Sequence, residues 1–197
     1  MLIDLLFQDP FAYLTLAIAL LFAFTIHEYS HAQMADFQGD HTARDLGRLT
    51  VNPFAHFDLM GAFFLFLFGF GWGKPVPFNP YNLRNKKWGP ALVALAGPIS
   101  NFIMAVLVGL LLRYLHLSGG ALLNFFVMFV WLNLMLGVFN LIPVPPLDGS
   151  HLLGAIIPMK TVGFFGIIIA VFFMMYIGSP YIVQPLFRLI TGLSLVF

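Results

Sequence analysis

The sequence predicts an all-α polytopic membrane protein, formed as a single domain over residues 1–197. Three observations indicate this class: 60% of the residues are hydrophobic, only 9% are charged, and the mean hydropathy is +0.94. Soluble domains usually carry about a quarter charged residues. A chain of this length suits about four to six membrane segments, because each span needs about 20 apolar residues to cross the hydrocarbon.

Three apolar stretches are long enough to be full spans: Phe11–Gln33, Ala91–Leu112 and Ala121–Ile142. A fourth stretch, Thr161–Ile177, is marginal in length. The weaker run Tyr181–Phe197 contains a proline and an arginine, so it can span, tilt or lie at the interface. We therefore expect a core of about residues 11–157, followed by one or two extra C-terminal helices in residues 158–197.

Leu59–Phe70 is too short to cross, because as a helix it would be about 18 Å long. A segment that enters the bilayer and returns would gather most basic residues on one side, as the positive-inside rule requires. The residues on that side would be Arg44, Arg48, Lys74, Arg84, Lys86, Lys87 and Lys160, opposite Arg113 alone. We expect a short re-entrant segment that lines the site, a multi-pass protein of the inner (cytoplasmic) membrane with its N-terminus outside, and residues 36–88 on the cytoplasmic side.

The first long span contains the motif His27-Glu28-Tyr29-Ser30-His31, which includes the only glutamate in the chain. The stretch from Phe11 to Ala35 is otherwise uncharged, and an isolated carboxylate at membrane depth indicates function because its burial is costly. Histidines at i and i+4 share a helix face, so both imidazoles can reach one metal ion. This H-E-x-x-H spacing is typical of zinc metalloproteases, in which the glutamate moves the proton of a water activated by zinc.

A catalytic zinc needs a third protein ligand, and the residues alone leave two alternatives. Asp148 is an isolated acid in the irregular elbow that we expect after a proline-rich stretch ends the preceding helix. His151 lies close behind it, and an imidazole serves as well as a carboxylate. Asp148 could instead cap a helix. Either residue can reach the two histidines only if Leu59–Phe70 turns back, because a full crossing would put the elbow on the opposite side of a core about 30 Å thick.

These motifs together resemble the site-2 protease family of intramembrane zinc metalloproteases, especially its compact prokaryotic branch. The resemblance covers about residues 20–155, in the family's order. It rests on His27-Glu28-x-x-His31, Ala96-Gly97-Pro98-x-x-Asn101, Asn140-x-x-Pro143 and Leu147-Asp148-Gly149. Residues 47–53 and 73–80 are also similar to that branch.

The resemblance implies a three-span catalytic core in which His27, His31 and Asp148 hold one Zn²⁺ ion and Glu28 acts on the water. It also implies that the substrates are transmembrane proteins, cut in or near the bilayer in regulated intramembrane proteolysis. We expect this sequence to contain neither the peptide-binding insertion nor the regulatory domain of larger members, which bears on substrate gating and on regulation.

Three more residues are candidates for substrate binding or for support of a ligand, namely Asn101, Asn140 and His151. The two asparagines are equally compatible with hydrogen bonds that join helices. The remaining histidines, His41, His56 and His116, are expected in loops or at the membrane interface.

Two other functions fit parts of the sequence. A transporter or a non-proteolytic zinc-binding membrane protein would spread ionisable residues through several spans, whereas here they gather at one depth. A non-catalytic relative that only sequesters membrane proteins has no need of Glu28. The formal charge of +1 argues against a nucleic-acid partner. Because the chain contains no cysteine, its metal ligands must be nitrogen and oxygen atoms.

Overall fold

The computed structural model of the chain describes residues 2–68, 71, 73–115, 119–156 and 163–194, and within these ranges it contains helices but no β-strand. The helices are α1 (Leu2–Gln8), α2 (Pro10–Phe37), α3 (Thr42–Asp45), α4 (Pro53–His56), α5 (Leu59–Phe68), α6 (Gly89–Leu115), α7 (Ala121–Asn140), α8 (Gly149–Gly154), α9 (Gly163–Phe173), a π-helical segment (Met174–Val183) and α10 (Gln184–Thr191). Four stretches of the described chain are long and apolar enough to cross a membrane: Pro10–Phe37, Gly89–Leu115, Ala121–Asn140 and Phe165–Thr191. The predicted all-α, multi-pass class is confirmed.

Helices α2, α6 and α7 pack against one another and form a three-span core. Ala19 and Ala23 of α2 are fully buried beside Phe129 of α7. Small side chains allow helix backbones to approach closely, which matters in lipid because apolar tails provide no hydrophobic drive for helix association. Helix α2 begins after Asp9, whose carboxylate accepts a hydrogen bond from the backbone N–H of Ala12 at 2.9 Å. This cap sets the start of the helix that carries the histidine motif.

The chain turns back after α5 instead of continuing across. The backbone N–H of Lys74 donates to the carbonyl of His56 at 3.0 Å, which joins the two ends of the segment. Gly71 lies so close to the backbone of Gly61 and the side chain of Leu65 that a Cβ would collide with both. A helix that crossed the hydrocarbon would separate its two flanks by about 30 Å. The two flanks of α5 therefore lie next to each other, as a re-entrant segment requires.

The C-terminal part forms one continuous helical stretch, because the π-helical segment joins α9 directly to α10. Residues 181–191 thus extend the span that begins before them, which decides between alternatives that the sequence left open. Pro180 lies inside the π-helical segment. There the wider turn accommodates a residue that lacks an amide proton. Val183 and Phe187 are buried with Leu134 of α7 in the main hydrophobic cluster.

His56 departs from the expected loop or interfacial position, since only 1% of it is exposed. Its Nε2 donates to the carbonyl of Thr50 at 2.8 Å, and the guanidinium of the buried Arg48 donates to the carbonyl of Lys74 at 2.7 Å. These contacts close the base of the re-entrant segment. His41 lies in the loop after α2, as predicted. Other residues of the sequence-based predictions lie outside the described ranges, namely residues 69, 70 and 72, His116, Lys160, Thr161 and residues 195–197.

Candidate metal centre

Three side chains that are far apart in the sequence meet at one point. His27 and His31 lie one turn apart on α2, and their Nε2 atoms are 3.0 Å from each other. The Oδ2 atom of Asp148 lies 3.1 Å from Nε2 of His27 and 3.3 Å from Nε2 of His31. Zinc bonds of 2.0–2.2 Å in a tetrahedral site separate ligand atoms by about 3.4 Å. The three atoms are therefore spaced nearly as a zinc ion would require, and in the described part of the chain they form the one group with this capacity.

Asp148 reaches the histidines because α7 ends at Asn140 and the following proline-rich elbow turns the chain back toward α2. The residue lies directly before α8, yet its side chain makes no capping hydrogen bond. Its Oδ2 atom is buried and has no hydrogen-bond partner. A buried carboxylate oxygen without a partner is costly, and a bound cation would satisfy it. The helix-cap alternative for Asp148 is therefore wrong.

Hydrogen bonds determine which nitrogen of each imidazole carries a proton. Nδ1 of His31 lies 2.7 Å from the carbonyl of Val93, which can only accept, so this nitrogen is the donor. Nδ1 of His27 lies 2.7 Å from Oδ1 of Asn101. The amide nitrogen of Asn101 donates to the carbonyl of Ala23 at 3.2 Å, which leaves Oδ1 as the acceptor for His27. Both neutral imidazoles therefore present the unprotonated Nε2, the form that binds a metal.

His27, His31 and Asp148 therefore each direct a lone pair of electrons toward the same point. The three lone pairs repel one another unless a cation lies between them. Two neutral imidazoles and one carboxylate are a nitrogen and oxygen donor set that zinc accepts, so the residues present fit a zinc ion.

Asn133 of α7 takes part in this arrangement and was not identified from the sequence. It is fully buried, its Oδ1 accepts from the amide nitrogen of Asn101 at 2.8 Å, and its own nitrogen donates to the carbonyl of Phe129 at 2.8 Å. Asn133 thus helps to fix the orientation of Asn101, which fixes the tautomer of His27. The sequence did contain a signal for this role, because Asn133 is an amide in the middle of an apolar span. Polar side chains at such positions usually form hydrogen bonds to neighbouring helices.

Gly97 allows α6 to approach the two histidines. A Cβ atom at this position would lie 2.5 Å from Nε2 of His31 and 2.6 Å from Cε1 of His27. Any larger residue would push α6 away from α2 or push the imidazoles out of place. This contact gives a physical reason for the glycine in the motif that begins at Ala96.

Glu28 is buried next to the two histidines, with 7% of the residue exposed. Its Oε2 accepts a hydrogen bond from the backbone N–H of Val76 at 2.9 Å. Residues 73–80, which follow the re-entrant segment, thus pass directly by the carboxylate. The predicted catalytic group is thus brought next to the stretch that follows the re-entrant segment.

Asn140 and His151 are not brought to the metal centre. The amide nitrogen of Asn140 donates to the carbonyl of Leu136 in its own helix at 3.1 Å. His151 is exposed on α8, where its ring centroid lies 6.3 Å from that of Phe78. Of the three candidates for substrate binding or ligand support, only Asn101 contacts a histidine of the centre within the described chain.

Comparison with known proteins identifies a family and several relatives. Residues 116–178 match the model of peptidase family M50. The chain is 40% identical over 151 residues to "Putative zinc metalloprotease YwhC" of Bacillus subtilis, which covers 73% of this chain and 69% of the relative. It is 32% identical over 142 residues to "Putative zinc metalloprotease Rip2" of Mycolicibacterium smegmatis, covering 66% of this chain and about half of that protein, 52%. It is 37% identical to "Zinc metalloprotease MJ0392" of Methanocaldococcus jannaschii over 76 residues, covering 38% of this chain and 22% of the relative. No solved structure matches the chain significantly.

Proposed function

This chain belongs to peptidase family M50 and is a zinc metalloprotease, and from this premise we propose that it cleaves peptide bonds in or near the transmembrane segments of other membrane proteins. Zinc held by His27, His31 and Asp148 is the cofactor of this reaction. The proposed biological role is regulated intramembrane proteolysis, in which a membrane-protein substrate is cut and a fragment is released.

One observation carries the proposal. Two unprotonated imidazoles and a buried glutamate of α2 meet the Asp148 carboxylate of the elbow, and α2 is long and apolar enough to cross a membrane. Hydrolytic groups at this position act on peptide bonds that lie at or near membrane depth. A soluble substrate would have no need of a centre built on such a helix.

The reaction follows from the chemistry of these side chains. Zinc, when bound, supplies a Lewis acid that lowers the pKa of water to about 7 and polarises the scissile carbonyl. Glu28 accepts the proton of the attacking water and later gives it to the leaving amine. The Val76 N–H holds one oxygen of the Glu28 carboxylate in place. His27, His31 and Asp148 provide the anchoring atoms, and Asn101 keeps His27 in its binding tautomer.

Residues 73–80 form one wall of the access path for water and substrate in this proposal. Residues 73–79 have no regular secondary structure, and the backbone N–H of Val76 donates to the catalytic glutamate. An intact substrate helix keeps its peptide groups in internal hydrogen bonds, so a few residues must unwind before attack. We expect helix-breaking residues near the scissile bond to increase cleavage.

The proposed location is the cell membrane, with the active site toward the cytoplasm. This orientation is supported by the basic residues beside the re-entrant segment, since Arg48 and Lys74 are joined by a hydrogen bond at its base. Arg84, Lys86 and Lys87 follow on the same connecting loop. Loops that are rich in lysine and arginine remain on the cytoplasmic side.

The test uses purified protein in detergent with a single-span substrate, and it measures both zinc content and cleavage. We expect Glu28→Gln to retain near-stoichiometric zinc and to lose cleavage by at least a hundredfold, in line with loss of a general base. Asp45→Asn, the same chemical change at an exposed site on α3, is the control and should cleave normally. Wild-type activity in Glu28→Gln would refute the mechanism. Cuts mapped only to the soluble flanks of the substrate would refute the assignment to transmembrane segments.

A further inference from the structure

A groove of about 540 Å³ lies between the loop that leads into α6 and the elbow that carries Asp148. Its lining includes Lys86 and Lys87 on one side, and Pro146, Ser150 and His151 on the other. Ser150 and His151 follow almost directly after Asp148 in the chain. The groove is therefore built in part by the same short stretch that supplies a ligand to the metal centre.

The groove carries positive charge that nothing in the described chain neutralises. Both lysines are exposed, and no carboxylate of the described residues forms an ion pair with either. The sequence has no aspartate or glutamate between Asp58 and Asp148. Lys86 donates to the carbonyl of Tyr81, and the ammonium of Lys87 lies 5.7 Å from the ring centroid of Trp88. These contacts hold the lysines in position without cancelling their charge.

The groove is connected to the catalytic residues by the non-helical segment 73–80. Val76 contacts Glu28, and Phe78, two residues further on, faces His151 in the groove. An extended chain advances about 3.3 Å per residue. When a substrate lies along this segment, the lysines therefore meet substrate residues that are only a few positions from the scissile bond.

We propose that this groove binds an acidic segment of the substrate, located where the substrate chain leaves the membrane next to its cleavage site. The inference rests on the proposed proteolytic function and adds a substrate class to it: membrane proteins whose flank on the active-site side carries aspartate or glutamate. The groove is lined by His151 and is connected to Glu28 through residues 73–80. A peptide bound at the catalytic residues passes the elbow beside the metal centre, whereas a lipid headgroup does not need to, so this position favours a peptide.

The experiment compares three substrates that share one transmembrane segment and differ in a short flank that is acidic, neutral or basic. Purified full-length protein in uncharged detergent cleaves each, and the ratios of kcat/KM are measured. We expect the acidic flank to be preferred over the neutral one by about three- to thirtyfold, as two exposed ion pairs allow. Lys86→Glu/Lys87→Glu should reverse the order in favour of the basic flank, and Lys86→Gln/Lys87→Gln should bring the ratios near one.

Arg84→Glu is the matched control, because it makes the same charge change on the same loop but does not line the groove. Its acidic-to-neutral ratio should stay that of the wild type; an equal loss in Arg84→Glu would assign the effect to diffuse surface charge and overturn the proposal. Equal cleavage of all three substrates by the wild type would overturn it too, while leaving the protease function intact. Cleavage of none would refute the proposed function itself. If the ratios respond to the lysine variants only in vesicles with phosphatidylglycerol, the lysines bind lipid and not substrate.

Discussion

Asp148 lies at the end of the elbow and His151 three positions later on α8. Chemistry allows either one to bind zinc, so their single substitutions test the ligand set directly. We expect Asp148→Ala to lose both zinc and activity, because two ligands rarely retain a catalytic metal. His151→Ala should keep its zinc, since the exposed imidazole faces Phe78. The measurement is zinc per protein after purification in detergent. The opposite pattern in the two variants would mean a site of three histidines.

Asn133 contacts no ligand, and its effect should appear in metal affinity. Removal of its amide eliminates one of the two hydrogen bonds that the amide nitrogen of Asn101 donates. We expect Asn133→Leu to weaken zinc binding about tenfold, as loss of outer hydrogen-bond partners does, while turnover at saturating zinc falls much less. Competition with a chelator measures the dissociation constant. Asn124→Leu, at an exposed position of the same helix, should bind zinc as the wild type does, and an unchanged constant in Asn133→Leu would exclude the positioning role.

The sequence located His27, Glu28 and His31 because their spacing lies within one helix, where geometry follows from residue number. It could not choose Asp148 over His151 from chemistry alone, because the turn of the elbow decides which side chain faces α2. It missed Asn133 for a related reason. The partner of Asn133 is on another helix, and the register of two packed helices is not encoded in the spacing within either one.

A re-entrant segment predicts that its two flanks lie on the same side of the membrane. Positions 45 and 86 lie on opposite flanks of α5, and the hydrogen bond between Lys74 and His56 joins those flanks. We expect Asp45→Cys and Lys86→Cys to react with a membrane-impermeant thiol reagent from the same side of sealed vesicles. The chain has no cysteine of its own, so the wild type serves as the unlabelled control. Labelling from opposite sides would contradict a segment that turns back.

Segment length was enough to predict that α5 does not cross, because about 18 Å of helix cannot match about 30 Å of hydrocarbon. Length and composition left the C-terminal run open, because a run that contains a proline and an arginine can span, tilt or lie at the interface. The π-helical segment accommodates Pro180, so the span continues into this run. The burial of His56 was also not predictable, since it depends on how the loop before α5 folds against Lys74.

Asp40 joins two distant parts of the molecule, since it connects the loop after α2 to the loop before α6. Its carboxylate is fully buried and accepts hydrogen bonds from Thr42, from the backbone of Asn79 at 2.6 Å and from the side chain of Asn82 at 3.0 Å. Burial alone would raise the pKa of Asp40, but these hydrogen bonds outweigh it and hold the pKa below the ordinary value. The ionised form is therefore the one that stabilises the fold.

Asp40→Asn should lower the thermal midpoint at neutral pH, because it leaves a buried donor unsatisfied at a cost of about 1–3 kcal/mol. The stability from Asp40 is present above its unfolded pKa of about 4 and is lost as pH falls through its lower folded pKa. The difference in midpoint between wild type and Asp40→Asn should therefore be largest near pH 7 and shrink below about pH 4. Thermal unfolding in detergent across this range is the measurement. The exposed Asp45→Asn is the control, and a gap that widens in acid would show that the sign is wrong.

The convergence of His27, His31 and Asp148 also has a mechanical consequence. A disulfide requires cysteine, and this chain has none. An ion held by α2 and by the elbow after α7 acts as a cross-link, since it fastens the first span to the end of the third and encloses everything between them in one loop. In soluble proteins a cross-link over about 100 residues removes roughly 4–5 kcal/mol of unfolded-chain entropy. Loss of zinc would therefore remove a cross-link as well as the catalytic ion, and the elbow that carries Asp148 would no longer be fastened to α2.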